Sequence, residues 1–372
     1  MLSVLQDKLD NKIAANEANV ALNFGRFSNA TSDLNDEILN LKTNKPKILT
    51  KEFGENNEKL IMRYDENLDN GFVGDKTIHP HAISQIAGRM KIPTAYLREL
   101  ATGDSWQKKL AATMLNEYFA NIGRERVLLR NVGNEIRGFL SNSYKRINSV
   151  DILKNYMGAV NANQLKVYDF HYGDTKFFIE TVDRNIVTVD TPNNGLVSLA
   201  FGMRLANSDF GDGALQLSAF LMQVVCLNGM TRQHVLRNIH LGAKLNDNIE
   251  YSDATYRLNT QASVSALNDV VRHVLNPDYR EKTIQSIANA SSQIVEPEKE
   301  IKKLTQMGVT KGEIEELENL FMANKVEDGV QGEMSLFKLS QGVGAIGREK
   351  EPERKRFLDD VSGKILEPIW IN

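Results

Sequence analysis

The chain has almost no cysteine, little proline and no long apolar run, and each shortage removes a class of protein. A single thiol, Cys226, among 372 residues excludes an intrachain disulfide and the zinc sites that need two to four thiolates. The longest mostly apolar stretch, residues 215–227, is interrupted by Gln216, Ser218 and Gln223 and is shorter than the ~20 apolar residues of a membrane-spanning helix. The start, Met1-Leu2-Ser3-Val4-Leu5, passes straight into Asp, Lys and Asn, without the basic stretch and apolar core of a secretory signal. These absences predict a cytoplasmic protein of a reducing compartment, with no membrane partner. A net charge of −3 also removes the strong overall field that advertises a polyanion or a polycation as partner.

What is present is a large apolar fraction, 41% of residues, enough for a sizeable core and for two or three domains. Charge is uneven: residues 121–280 carry a small positive excess, and residues 281–372 are acidic. Residues 1–75 are rich in Asn, Asp, Glu and Lys with no sustained period, and they read as a poorly ordered or loosely attached arm.

From residue 76 the patterning sharpens. Ile83, Ile86, Ala87 and Met90 recur at helical spacing, Pro93 opens a short helix with Tyr96, Leu97 and Leu100 inward, and a third helix follows around Leu110, Met114, Leu115 and Phe119. Residues 126–140 alternate with period two around a turn at Gly133, which predicts a hairpin. Ser149 is placed to cap a helix buried through Ile152, Leu153, Tyr156, Met157 and Val160. Strand-like runs follow at 165–172, 175–182, 185–190, 196–206 and 214–227. A long helix then starts at Ser252 or Asp253 and stops at Asn276-Pro277, and Thr310 with Glu313 forms a capping box. The expected fold class is α+β: a central domain over 76–280 with an antiparallel-leaning sheet and packed helices, then an acidic helical region over 281–372.

Chemical motifs are few. Gly342-Val343-Gly344-Ala345-Ile346-Gly347 has dinucleotide-fingerprint spacing, but too little chain follows it for the strand–helix–strand unit that the fingerprint requires. The six histidines form no metal-binding arrangement, and Cys226, between Val225 and Leu227, reads as a small buried hydrophobe. No Walker-type, serine-elbow or kinase motif is present, so no catalytic residue, metal or cofactor is assigned. Ile83 to Leu100 resembles a helix-turn-helix, with Lys91 where that motif favours glycine and only Arg98 as a base on the second helix.

Two features point toward nucleic acid. Arg124, Arg126, Arg130, Arg137, Lys145 and Arg146 cluster with Tyr144, and alternation places Arg126 and Arg130 on one strand face, where they can track phosphates. Lys166, Tyr168, Phe170 and Tyr172 share a face of the next strand, the arrangement of a base-stacking platform. Aromatic residues at this spacing also form the buried face of a sheet. Phe170 is expected in the core, with the platform kept for Tyr168 and Tyr172.

Ile92-Pro93-Thr94-Ala95-Tyr96-Leu97-Arg98, the Arg-rich hairpin with Tyr144, Asn207-Ser208-Asp209 and Val224-Val225-Cys226-Leu227-Asn228-Gly229 occur in that order. Together, over residues 80–275, they resemble the phage- and plasmid-borne family catalogued as domain of unknown function 932. The resemblance transfers no catalytic residue but implies a phage or plasmid context, and with it a bacterial host cell. It favours a non-enzymatic DNA-transaction protein that binds single-stranded DNA in replication or recombination, with a homo-oligomer as a further partner class. The alternative is a protein-interaction factor, such as an antagonist of a host defence complex.

Overall fold

The computed structural model describes residues 2–54, 57–67, 71–72, 75–121, 126–238, 252–325, 327 and 329–367. Its architecture is α+β, with two large sheets and helices packed on both. No described helix is long and apolar enough to cross a membrane.

The first sheet has six strands in the order β1 (Leu34–Asn40), β7 (Arg126–Val132), β8 (Glu135–Ser141), β6 (Lys76–Ile78), β3 (Glu58–Arg63) and β2 (Lys47–Glu52). Every pairing is antiparallel except β6 with β8. The expected hairpin is β7–β8, turned by Gly133 at φ +55°, a backbone region that a side chain rarely adopts. Between β3 and β6 lies a small ribbon, β4 (Asp65–Asn67) and β5 (Gly71–Phe72). One sheet face is covered by α2 (Pro80–Arg89), α3 (Thr94–Thr102) and α4 (Ser105–Asn121), whose Ile83, Ile86, Leu97, Leu100 and Leu115 meet Ile48, Met62, Val127 and Phe139. Lys91, in the turn between α2 and α3, sits at φ +56°.

The second sheet is an antiparallel meander: β9 (Lys166–Gly173), β10 (Lys176–Thr191), β11 (Gly195–Ser208), β12 (Leu215–Gln223) and β13 (Asn228–Asn238). The runs expected at 175–182 and 185–190 are one strand with a register shift between Val182 and Ile186. One core joins α5 (Ser149–Ala162) and α6 (Asp253–Leu275) to Phe170, Phe177, Ile179, Met203 and Leu217. The remaining helices are α7 (Pro277–Ser292), α8 (Pro297–Gln306), α9 (Lys311–Ala323), α10 (Leu336–Ile346) and α11 (Pro352–Ile365), packed around Val197, Leu199, Phe201 and Met230. The predicted capping box opens α9, and Ser252 caps α6 through the Thr255 N–H. Ser149 is the first residue of α5, and Asn148 takes the cap position.

The largest correction concerns the first 75 residues. They are not a loose arm: β1, β2 and β3 supply half of the first sheet, and residues 2–32 form one 31-residue helix, α1 (Leu2–Ser32). This helix lies along β9, the edge of the second sheet. Leu9 packs against Tyr168 and Phe220, while Phe24 stacks on Phe170 at 4.1 Å and Phe27 meets Tyr172 edge-on at 5.5 Å. Two asparagines satisfy backbone groups that an edge strand leaves open: Asn16 Nδ2 donates to Tyr168 O at 2.7 Å, and Asn23 Oδ1 accepts from Tyr172 N at 3.0 Å.

The three glycines of segment 342–347 are also explained by packing. Gly342 and Gly344 lie inside α10, and a Cβ on Gly344 would stand 2.9 Å from Gly229 O. The spacing serves close approach of a helix to β13, not a phosphate loop.

Candidate anion-binding site

The residues expected to bind nucleic acid do not form one surface. Arg130 is 1% exposed and joins the two sheets: Nε donates to Asp36 Oδ1, Nη1 to Asp209 O and Nη2 to Asn148 Oδ1, each at 2.8 Å. Asp209 in turn accepts from the Ser149 N–H at 2.8 Å, and Asn207 Nδ2 reaches Ser149 Oγ at 2.9 Å. The Asn207-Ser208-Asp209 block therefore seats α5 against the arginine. Burial pushes the Asp209 carboxyl above its ordinary range, with Arg130 opposing that shift.

Arg137 donates to Glu135 Oε2 at 2.8 Å and to Asp174 O at 2.9 Å. Tyr144 is buried with its hydroxyl near Ser208 O. Arg126, Lys145 and Arg146 are half-buried, Lys166 is exposed, and Arg124 lies outside the described residues. Arg130 and Tyr144 thus carry a junction, and neither is a phosphate-tracking residue.

The aromatic platform is absent for a specific reason. Glu180 pairs with Asp169 and Thr181 with Val167, so Tyr168 is the extra residue of a β-bulge. It turns away from Phe170 and Tyr172 and packs on Phe220, with ring centroids 6.4 Å apart. All three rings are buried, under α1 or on the opposite sheet face.

A different cation cluster is assembled where α1 passes the end of α11. A pocket of about 440 Å³ is lined by Lys8, Lys12, Arg348, Lys350 and Lys355 against only two carboxylates, Asp169 and Glu327. Asn16 and Asn19 extend the polar wall, and Tyr168, Phe178 and Cys226 lie at its base. Lys8 donates to the Val225 carbonyl, and Arg348 Nη1 to the Cys226 carbonyl at 3.4 Å. Lys350 is held by Glu316 at 2.7 Å. Lys12 makes no hydrogen bond or ion pair among the described residues, although its charge acts on Asp169.

Below the pocket is a buried ion network. Arg204, 2% exposed, donates from Nε to Glu180 Oε1 at 2.8 Å and from Nη1 to Thr231 Oγ1 at 2.6 Å, and it also pairs with Asp359. Lys355 stands 3.6 Å from Glu180 Oε2 and 3.5 Å from Asp359 Oδ2. Burial alone would raise the Glu180 carboxyl, but Arg204 and Lys355 outweigh it and hold it below the usual range. For Asp359 burial prevails and the carboxyl is raised. Burial works against the charge of Lys355, yet Glu180 and Asp359 keep its pKa above that of an ordinary lysine. Lys355 therefore presents a fixed positive charge to the pocket.

Asp169 is pushed upward, first by burial and then by Glu180, with Lys355 opposing the shift. Cys226 is 4% exposed, and burial pushes its thiol up to about 11, which leaves it protonated at neutral pH and a poor nucleophile. Geometrically, the pocket can accept an anion with several oxygen acceptors.

The pocket's helical wall had a signal in the sequence. Lys8, Lys12, Asn16 and Asn19 repeat at spacings of four, four and three, beside an apolar stripe of Leu5, Leu9, Ile13, Val20, Phe24 and Phe27. Cys226, Arg348 and Lys355 have no local signal that links them to that stripe. Among the described residues no group of His, Cys, Asp and Glu is placed to hold a metal. Comparison with protein-family models, curated proteins and solved structures found no match to this chain.

Proposed function

We propose that this protein binds single-stranded DNA through the backbone phosphates, in the basic pocket between α1 and α11, as a non-enzymatic accessory in a phage or plasmid DNA transaction such as replication or recombination. The observation that carries the reading is the convergence of five cations on one pocket wall, where Lys350 is offset by Glu316 and Lys355 by Glu180 and Asp359 while Lys8 and Lys12 make no ion pair among the described residues, on a chain whose net charge is −3. Such a local excess attracts an anion against the overall field, and release of counterions from neutralised phosphates drives binding of a strand. With Tyr168, Phe170 and Tyr172 buried, no base-stacking platform forms on β9, and contacts to phosphates alone are indifferent to base sequence. The resemblance to the phage and plasmid family adds the genomic context.

Fluorescence anisotropy with a labelled oligonucleotide tests this. Lys12→Glu, at a half-buried position in the α1 wall of the pocket, should weaken binding by about tenfold or more, the loss of one charge-assisted contact. Arg137→Ala, which removes a cation of the hairpin, should have little effect. Equal losses for the two variants, or no binding by the unaltered protein at low salt, overturn the proposal.

A further inference from the structure

A second cleft adjoins the basic pocket, between α9 and the end of α10, and holds about 740 Å³. Arg348 and Lys350 line both, so the two form one path with a basic saddle in the middle. Small side chains make the cleft. At Gly342 the helices are in close contact, since an added Cβ would stand 2.5 Å from Leu317 and 2.6 Å from Phe321. Farther along, Ala323 of α9 and Ala345 of α10 line the cleft, and neither is long enough to fill it. Leu320 and Ile346 add to an apolar floor, with the Asn319 amide in the same wall.

The chemistry changes along this path. On the saddle Arg348 is exposed, and Lys350 Nζ donates to Glu316 Oε1 at 2.7 Å. Over the floor the walls are apolar, and the exposed Glu316 and Glu349 disfavour a phosphate inside the cleft. A further cation follows the end of α9. Asn324 closes that helix in the left-handed region at φ +47°, its Oδ1 accepts from Lys338 Nζ at 2.6 Å, and the exposed Lys325 comes next in the cleft wall. Cationic saddle, apolar floor and outer cation match the alternation of phosphate and base along a nucleic acid strand. We infer that the cleft between α9 and α10 receives a nucleobase of the strand whose phosphates lie in the basic pocket, with the face of the ring against Leu320 and Ala323. The inference rests on the phosphate binding proposed above and adds a property to it. A base seated there is unpaired, so the cleft favours a single strand over a duplex, which phosphate contacts alone do not.

An abasic oligonucleotide keeps every phosphate and lacks every base, and it separates the inference from the reading on which it rests. In fluorescence anisotropy with the full chain, a thymine oligonucleotide should bind about tenfold more tightly than an abasic strand of equal length, the gain from removing one face of a base from water. Ala323→Gln, an uncharged substitution at an exposed helix position, narrows the cleft and should bring the two strands to one affinity. Lys12→Glu, in the basic pocket, should weaken both strands by the same factor and preserve their ratio. Equal affinity of the thymine and abasic strands for the unaltered protein overturns the inference and leaves phosphate binding standing. So does a ratio that survives in an Ala323→Gln protein with unchanged circular dichroism. Failure of both strands to bind at low salt overturns the phosphate reading and the inference with it.

Discussion

Replacing Arg204 by Met tests whether the sheet and α11 are held together electrostatically. The substitution keeps much of the side-chain volume but leaves Glu180, 0% exposed, and Asp359, 1% exposed, without the cation that both contact. Removing one partner of a buried ion pair costs ~3–5 kcal/mol, most of it from the charges left behind. Lys355 remains within 3.6 Å of both carboxylates and offsets part of that loss, so the expected cost is about 3 kcal/mol at pH 8. Without Arg204, burial raises both carboxyls above their values in the unfolded chain, and the folded state then binds protons that the unfolded chain has released. The extra destabilisation should therefore shrink as pH falls toward about 5 and grow as pH rises. Urea denaturation followed by circular dichroism, compared with the unaltered protein at each pH, measures this. A cost below about 1 kcal/mol, or one that does not change with pH, would refute the argument.

Three further outcomes follow from the packing. Phe170→Ala, which opens a hole among Phe24, Phe27 and Phe177, should cost ~3–5 kcal/mol in urea denaturation while binding of oligonucleotide per folded molecule is unchanged. Asn23→Ala leaves the Tyr172 N–H without its acceptor and should cost ~1–3 kcal/mol, with faster hydrogen exchange confined to β9. Glu313 is held at about 2 by the Arg354 guanidinium and by the Thr310 N–H, so it stabilises the fold above its unfolded value of 4.5 and loses that contribution as pH falls toward 2. Glu313→Gln should remove this acid-side slope from a pH series of melting curves.

Where chemistry is local, the sequence was readable. The Thr310 and Glu313 capping box, the Asn276-Pro277 break and the Gly133 turn each act within four residues, and all three are present. Helix α1 was missed because Asn and Asp residues, poor helix formers, dilute its apolar stripe, and because its stability comes from β9 rather than from propensity. The Tyr168 platform failed through one bulge, since a single extra residue sends every later side chain to the other face. Arg130 looked like a phosphate contact because charge on a strand face reads as exposed, and its partners Asp36 and Asp209 lie 94 and 79 residues away along the chain. The basic pocket joins residues from both ends of the chain, Lys8 and Lys12 with Arg348 and Lys355, and no window of sequence contains them together.

The central claim is that α1 and α11 together seat DNA phosphates, and the salt dependence of binding tests it most directly. Affinity for a single-stranded oligonucleotide should fall linearly in a double-logarithmic plot against salt, with each phosphate contact contributing a slope of ~0.7. The Lys8→Ala, Lys12→Ala double variant, in the α1 wall of the pocket, should flatten that slope by about 1.4 while the protein melts normally. A slope unchanged in the folded double variant would contradict the account.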